Sequence, residues 1–149
     1  MRAVLTRVTE AKVEIDGKLQ AEIGKGILVL LGAEDGDTDA DIKYIVDKCA
    51  NLRIFEDEAG KMNLSVMDTE GEILIVSQFT LLGDARHGRR PGFTRAGAPD
   101  WAEGMYNKAV EAFKNTGRPV GTGIFGADMQ VYSINDGPVT ILLDSRKTF

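Results

Sequence analysis

The alternation of hydrophobic and polar residues predicts antiparallel sheet in the first third of the chain. Residues 2–8 and 12–15 alternate, as two strands with one buried face do. The pair Asp16–Gly17 supplies a tight hairpin turn, and the returning strand runs over Lys18–Ile23. The uninterrupted apolar run Ile27–Leu31 predicts a central strand that is buried on both faces.

Two later segments have the periodicity of amphipathic helices. The first begins after Thr38, which forms a capping pair with Asp41, and its apolar positions are Ile42, Ile45, Val46 and Cys49. The second begins at Pro99, ends before Gly117 and Pro119, and repeats an apolar residue every four positions at Trp101, Met105, Ala109 and Phe113.

The remaining pattern completes a single domain over residues 1–149. A strand is predicted at Glu72–Phe79, and two more at 129–134 and 139–143, joined by the turn-forming run Asn135–Pro138. The predicted order is β-β-β-β-α-β-α-β-β. Hairpins combined with two crossover helices indicate a mixed α/β fold, with largely antiparallel sheet and both helices packed on one side.

Composition narrows the functional classes. A chain of 149 residues with 43% hydrophobic and 28% charged residues is typical of a globular domain. The longest apolar run has five residues, against about 20 for a membrane-spanning helix, so we expect a cytoplasmic protein with no membrane partner. With one cysteine, Cys49, and one histidine, His87, a Cys/His zinc site is excluded and a histidine-based hydrolase is disfavoured. We predict no metal and no cofactor.

Positive charge is concentrated in one glycine-rich segment. The chain carries a net charge of −5, yet residues 84–95 hold four arginines and one acid. Arginine beside an aromatic residue, here Phe93, suits phosphate contacts and base stacking, which makes Arg89 and Arg90 candidate substrate-binding residues. An ion-paired subunit contact or a solvated loop explains the same composition equally well.

Polar residues follow directly where the strand at Glu72 ends. The candidates for catalysis are Ser77, Gln78, Phe79 and Thr80, because sites often form where a buried strand ends. A plain strand edge is the alternative. Arg7 interrupts an apolar strand, which indicates either an anchoring role or an exposed face.

Six short motifs make the chain resemble the bacterial D-aminoacyl-tRNA deacylases over essentially its whole length. The two that define that family are Ser77–Leu81 and Asn135–Thr140. The supporting motifs are Asn51–Phe55, Gly60–Leu64, Arg90–Pro91 and Gly126–Val131. The resemblance implies a barrel-like fold and hydrolysis of the ester that joins a D-amino acid to the 3′ end of tRNA, with no role for DNA.

The same resemblance implies separate roles for several residues. Ser77 to Thr80 line the pocket for the aminoacyl ester, while Phe125 and Met129 contact the terminal adenosine. The protein is a homodimer in which a cis Gly137–Pro138 turn, held by Arg7, reaches into the partner's pocket and selects chirality.

A mechanism without a side-chain base follows from these expectations. Backbone N–H groups around Phe79 and Thr80 stabilise the oxyanion, and the ribose hydroxyl of the substrate helps to activate water. Thr80 as a covalent nucleophile is the alternative. Main-chain atoms of Gly137 and Pro138 exclude an L side chain, so we expect glycyl-tRNA to be cleaved as well. A non-catalytic tRNA-binding module and a small-molecule esterase are the competing functions.

Overall fold

One long strand organises the sheet. The computed structural model describes residues 1–149, and its first strand, β1, is Arg2–Ile15. β1 pairs antiparallel with three strands, which are β2 (Lys18–Ile23), β3 (Gly26–Gly32) and β8 (Gln130–Asp144). Its first half pairs with β3 and its second half with β2, while β8 runs along its other edge.

The sheet continues beyond β3 with parallel strands. β6 (Glu72–Ser77) pairs with β3, and β7 (Val120–Thr122) pairs with β6. The strand order is β2-β1-β3-β6-β7 with β8 beside β1, and β2 also contacts β6 and β7. The sheet therefore curls into a nearly closed barrel. This agrees with the prediction of a mixed α/β fold with a barrel-like sheet.

Both helices cover the same face of this sheet. α1 (Asp39–Asn51) lies between β3 and β6 in the chain, and α2 (Pro99–Lys114) lies between β6 and β7. The largest buried cluster joins Ile45 of α1, Phe113 of α2 and Val29 of β3, whereas the adjacent Leu28 belongs to a second cluster. Neighbouring residues of a strand point to opposite faces. The prediction of helices on one side is confirmed.

Local signals at the helices are also confirmed, with one exception. The Thr38 N–H donates to Asp41 Oδ2 over 2.7 Å at the start of α1. Met105 and Phe113 are buried in α2, but Trp101 remains 37% exposed and lies against Gly97. In the first turn of α2 the buried residue is the adjacent Ala102.

Several predicted strand boundaries are wrong. Residues 2–8 and 12–15 form one strand, and so do 129–134 and 139–143. The run Asn135–Pro138 is not a hairpin turn but part of a wide bulge, since Thr6 pairs with Thr140 and Val8 pairs with Asn135. One residue of β1 thus faces four of β8.

Short elements escaped prediction altogether. A small hairpin of β4 (Phe55–Glu56) and β5 (Met62–Leu64) follows α1, and β7 has only three residues. Two or three residues are too few to show a hydrophobic period. None of the helices has the length and apolar character needed to cross a membrane.

Candidate active site

The carboxyl end of β6 opens into a cavity of about 540 Å³. Its lining comes from β6 and the turn after it, from residues 93–102 up to the first turn of α2, and from residues 125–131 at the start of β8. The residues that line it are Val76, Ser77, Gln78, Phe79, Phe93, Ala96, Gly97, Pro99, Ala102, Phe125, Gly126, Ala127, Met129 and Val131. Mostly apolar walls with a few polar groups at one end are typical of a small-ligand site.

The backbone changes direction at the polar end of this cavity. The Gln78 N–H donates to Leu31 O over 2.8 Å as the last bond of the parallel pair, and the chain then enters a 3-10 turn at Phe79–Leu82. The first N–H groups of a helical turn have no acceptor within it. Those of Phe79 and Thr80 therefore have no main-chain acceptor, whereas the Leu81 N–H donates to Gln78 O.

The Thr80 hydroxyl has no base beside it. Its hydrogen-bond partner is the side-chain amide of Gln78, whose Nε2 donates to Thr80 Oγ1. A carboxamide does not accept a proton near neutral pH, so the contact orients the hydroxyl without activating it. Thr80 itself lies outside the lining of the cavity in a single chain.

Aromatic side chains shape the apolar walls. The rings of Phe79 and Phe93 meet edge to face, with centroids 5.2 Å apart, and Phe125 packs 6.0 Å from Tyr106. Tyr106 donates to Ile75 O over 2.9 Å, and burial raises its pKa to about 12. Tyr106 is therefore a neutral structural support at neutral pH.

Arg7 is tied to the bulge in β8. It is only 5% exposed, and its Nη1 donates to Ile54 O over 2.6 Å. Its Nε donates to Asp136 O over 2.9 Å and lies 3.3 Å from the Asp136 carboxylate. The anchoring role, rather than the exposed face, is the one that this geometry supports.

The bulge itself leaves no room for larger side chains. The Gly137–Pro138 peptide bond is cis, and Gly137 has a φ of 129°. A Cβ atom at Gly137 would lie 2.9 Å from Arg7 Nη2 and 2.8 Å from the Val139 side chain. Asn135 Oδ1 accepts the Val139 N–H over 2.9 Å and closes the loop.

Only some of the candidate residues meet within one chain. Ser77, Gln78 and Phe79 share the cavity with Phe125 and Met129. Gly137, Pro138 and Arg7 contribute nothing to its lining. Within a single chain, Ser77–Phe79 therefore line the cavity, whereas the Gly137–Pro138 segment lies outside its lining.

The four arginines of the loop fall into two classes. Arg86 pairs with Asp84 over 2.6 Å, which holds the pKa of that carboxyl well below its usual range, and Arg95 pairs with Glu34 over 2.7 Å. Arg89 and Arg90 are exposed, form no ion pair and lie outside the cavity lining. Their guanidinium groups are therefore free to bind an external anion.

Sequence reasoning missed one wall of the cavity. Ala96 and Gly97 line it, yet small residues in a loop carry no chemical signal. Glu34, which pairs with Arg95, was also missed, because it begins a run of closely spaced acids after a strand and such residues are mostly exposed. No group of three or more His, Cys, Asp or Glu side chains is arranged to hold a metal ion.

Comparison with known proteins decides the family. The family model described as D-Tyr-tRNA(Tyr) deacylase matches residues 4–144. The chain belongs to this deacylase family. A relative named D-aminoacyl-tRNA deacylase from Clostridium botulinum is 60% identical over 149 residues, covering all of both chains. Another of that name from Thermosipho africanus is 57% identical, again over all of both chains.

Two solved structures share the fold of this chain. A protein described as c-Myc DNA Unwinding Element Binding Protein is 48% identical, with a TM-score of 0.92 over 97% of this chain and 98% of its own. A probable eukaryotic D-amino acid tRNA deacylase is 20% identical, with a TM-score of 0.82 over 95% of this chain and 97% of its own. The second similarity shows the shared fold alone.

Proposed function

We propose that this protein hydrolyses the ester bond of D-aminoacyl-tRNA in the cytoplasm and rejects L-aminoacyl-tRNA. The observation that carries the proposal is the cavity at the end of β6, where Ser77, Gln78 and Phe79 supply the polar end. The deacylase family and relatives of 57–60% identity support the same reaction. Water adds to the ester carbonyl, the bond to the ribose oxygen breaks, and free D-amino acid and tRNA leave.

The main chain supplies the catalytic groups in this proposal. The N–H groups of Phe79 and Thr80 bind the carbonyl oxygen as it gains negative charge, which lowers the barrier because the donors are already oriented. The substrate's free ribose hydroxyl activates the attacking water. Phe125 and Met129 hold the terminal adenosine against the apolar wall, and Arg89 and Arg90 contact phosphates of the same tRNA.

Chirality is selected by exclusion. The Gly137–Pro138 segment of a partner subunit presents main-chain atoms to the substrate's α carbon, and an L side chain collides with them. Arg7 supports this role, since it bonds both Asp136 and the buried carbonyl of Ile54. A site that only rewarded D side chains would instead depend on their size, at about 1 to 3 kcal/mol per methylene.

Two features support a homodimer with shared sites. β8 is an edge strand that pairs only with β1, and it exposes Val131, Tyr132, Ile134 and Leu142. Exposed apolar side chains along a free edge are typical of a subunit contact. The Gly137–Pro138 segment projects from this strand and lies outside its own chain's cavity lining.

Subunit complementation tests the shared site. Phe125→Glu damages the cavity and Arg7→Lys damages the loop, so the rate of each homodimer should fall about tenfold or more. After both are unfolded and refolded together in equal amounts, heterodimers should regain about a quarter of the wild-type rate, because half the dimers carry one intact site. A mixture as inactive as its components contradicts the shared arrangement.

Three substrates separate the proposed function from its competitors. The protein should release D-tyrosine quickly from D-tyrosyl-tRNA while L-tyrosyl-tRNA and a free D-tyrosine ester persist. A tRNA-binding module would bind charged tRNA without turnover, and a small-molecule esterase would cleave the free ester. Single-stranded DNA is added as a competitor, and we expect it to compete no better than uncharged tRNA.

A further inference from the structure

Glu34 connects the sheet to one wall of the cavity. It follows β3, and only 3% of the residue is exposed. Its Oε1 accepts a hydrogen bond from Arg95 Nε over 2.8 Å and lies 2.7 Å from Arg95 Nη2. The same oxygen accepts Nη1 of Arg146 over 2.9 Å. A buried carboxylate that accepts from two guanidinium groups is strongly directional, since charged hydrogen bonds are short and rigid.

The backbone beside Glu34 binds the same wall. The Asp35 N–H donates to Arg95 O over 2.9 Å, and the Gly97 N–H donates to Ala33 O over 3.1 Å. Phe93 and Gly97 lie on either side of Arg95 and both line the cavity. The Glu34–Arg95 ion pair and these two backbone bonds together fix the position of this wall.

We infer that Glu34 is a positioning residue for the deacylation reaction, acting through Arg95 on the wall formed by residues 93–97. The inference rests on the proposed function. The wall confines the aminoacyl ester opposite the N–H groups of Phe79 and Thr80. A misplacement of about 1 Å at a reacting centre costs about a hundredfold in rate. Binding of tRNA depends instead on Arg89 and Arg90, which Glu34 does not contact.

The other carboxylate oxygen can be replaced by an amide nitrogen without breaking a hydrogen bond. Glu34 Oε2 is buried and has no hydrogen-bond partner. In Glu34→Gln, the amide oxygen keeps the place of Oε1 and the NH₂ group takes the place of Oε2, so no existing bond is geometrically broken. The variant removes the charge that strengthens the contacts to Arg95 and Arg146 while preserving the side-chain shape.

For each variant, the experiment measures three quantities: the single-turnover rate constant for deacylation of D-tyrosyl-tRNA, the steady-state KM and the melting temperature. Glu34→Gln should lower the rate constant by about tenfold and leave KM within about twofold of wild type. Glu34→Ala, which also removes the acceptor, should lose about a hundredfold. Asp68→Asn serves as the control, because Asp68 caps Ser65 with bonds of 2.8 and 2.7 Å but lies outside the cavity lining. It should lose stability without losing rate.

A double-mutant cycle tests whether Glu34 acts on the reaction through Arg95 or through Arg146. In an Arg95→Met background, Glu34→Gln should change the rate by less than about twofold, whereas in an Arg146→Met background its full effect should persist. A Glu34→Gln rate equal to wild type, or an undiminished effect in the Arg95→Met background, overturns the inference. A wild-type protein that leaves D-tyrosyl-tRNA intact contradicts the proposed function instead.

Discussion

The Nε atom of Arg7 donates to the carbonyl oxygen of Asp136 over 2.9 Å, while Nη1 of the same guanidinium donates to Ile54 O over 2.6 Å. One buried side chain on β1 thus holds the β8 bulge against the chain that leads into β4. The planar guanidinium provides two donors at a fixed spacing, which a lysine ammonium does not match.

Arg7→Lys should therefore separate charge from geometry. The variant keeps the positive charge beside Asp136 but leaves a buried carbonyl without a donor, which costs about 1 to 3 kcal/mol. We expect a lower melting temperature and a fall in deacylation of about tenfold or more. Thermal denaturation and single-turnover assays measure both. Wild-type deacylation by this variant rules out the anchoring role.

Thr80→Ala should keep most of its activity. The hydroxyl bonds only the Gln78 amide, and the proposed oxyanion donors belong to the main chain. The single-turnover rate on D-tyrosyl-tRNA should stay within about twofold of wild type. Complete loss of chemistry with tRNA binding intact would favour the covalent mechanism.

Arg89→Ala and Arg90→Ala should weaken tRNA binding more than Arg86→Ala does. Arg86 is already paired with Asp84 over 2.6 Å, whereas Arg89 and Arg90 have no acidic partner. Each lost phosphate contact should reduce the slope of log affinity against log salt by about 0.7. Binding titrations at several salt concentrations measure the slopes. Equal slopes for all three variants and wild type would assign the loop a role other than phosphate binding.

Glycyl-tRNA should be cleaved at a measurable rate. Exclusion by the Gly137–Pro138 main chain acts on a side chain, and glycine has none to exclude. The assay compares glycyl-tRNA with L-alanyl-tRNA, which carries one additional methyl group on the α carbon. Resistance of both at high enzyme concentration contradicts the exclusion model.

Cys49 should be inert in the folded protein. Burial raises the pKa of its thiol to about 12, so the reactive thiolate is disfavoured near neutral pH. A thiol reagent at about pH 8 should leave both the native protein and its activity unchanged, and should label one thiol per chain in denaturant. The raised pKa also means that this group favours the folded state below about pH 9 and loses that contribution as pH rises toward 12. Rapid native labelling would show that the thiol is accessible.

The sequence by itself determined the elements whose signals are local. The apolar run at Ile27–Leu31, the capping pair of Thr38 and Asp41 and the four-residue spacing in α2 each follow from neighbouring residues, so the central strand and both helices were predictable. The motif Ser77–Thr80 was likewise visible, because polar residues directly follow an apolar strand.

Tertiary structure alone decided how distant segments meet. The run Asn135–Pro138 has the composition of a turn, yet pairing with β1 on both sides draws it into one long strand with a bulge opposite Arg7. The ion pair of Glu34 with Arg95 joins residues 61 positions apart. The local secondary-structure propensity of a residue is worth only tenths of a kcal/mol to about 1 kcal/mol. Strand pairing and buried charge contacts therefore override it. Neither kind of contact produces a regular pattern of hydrophobic residues in the sequence.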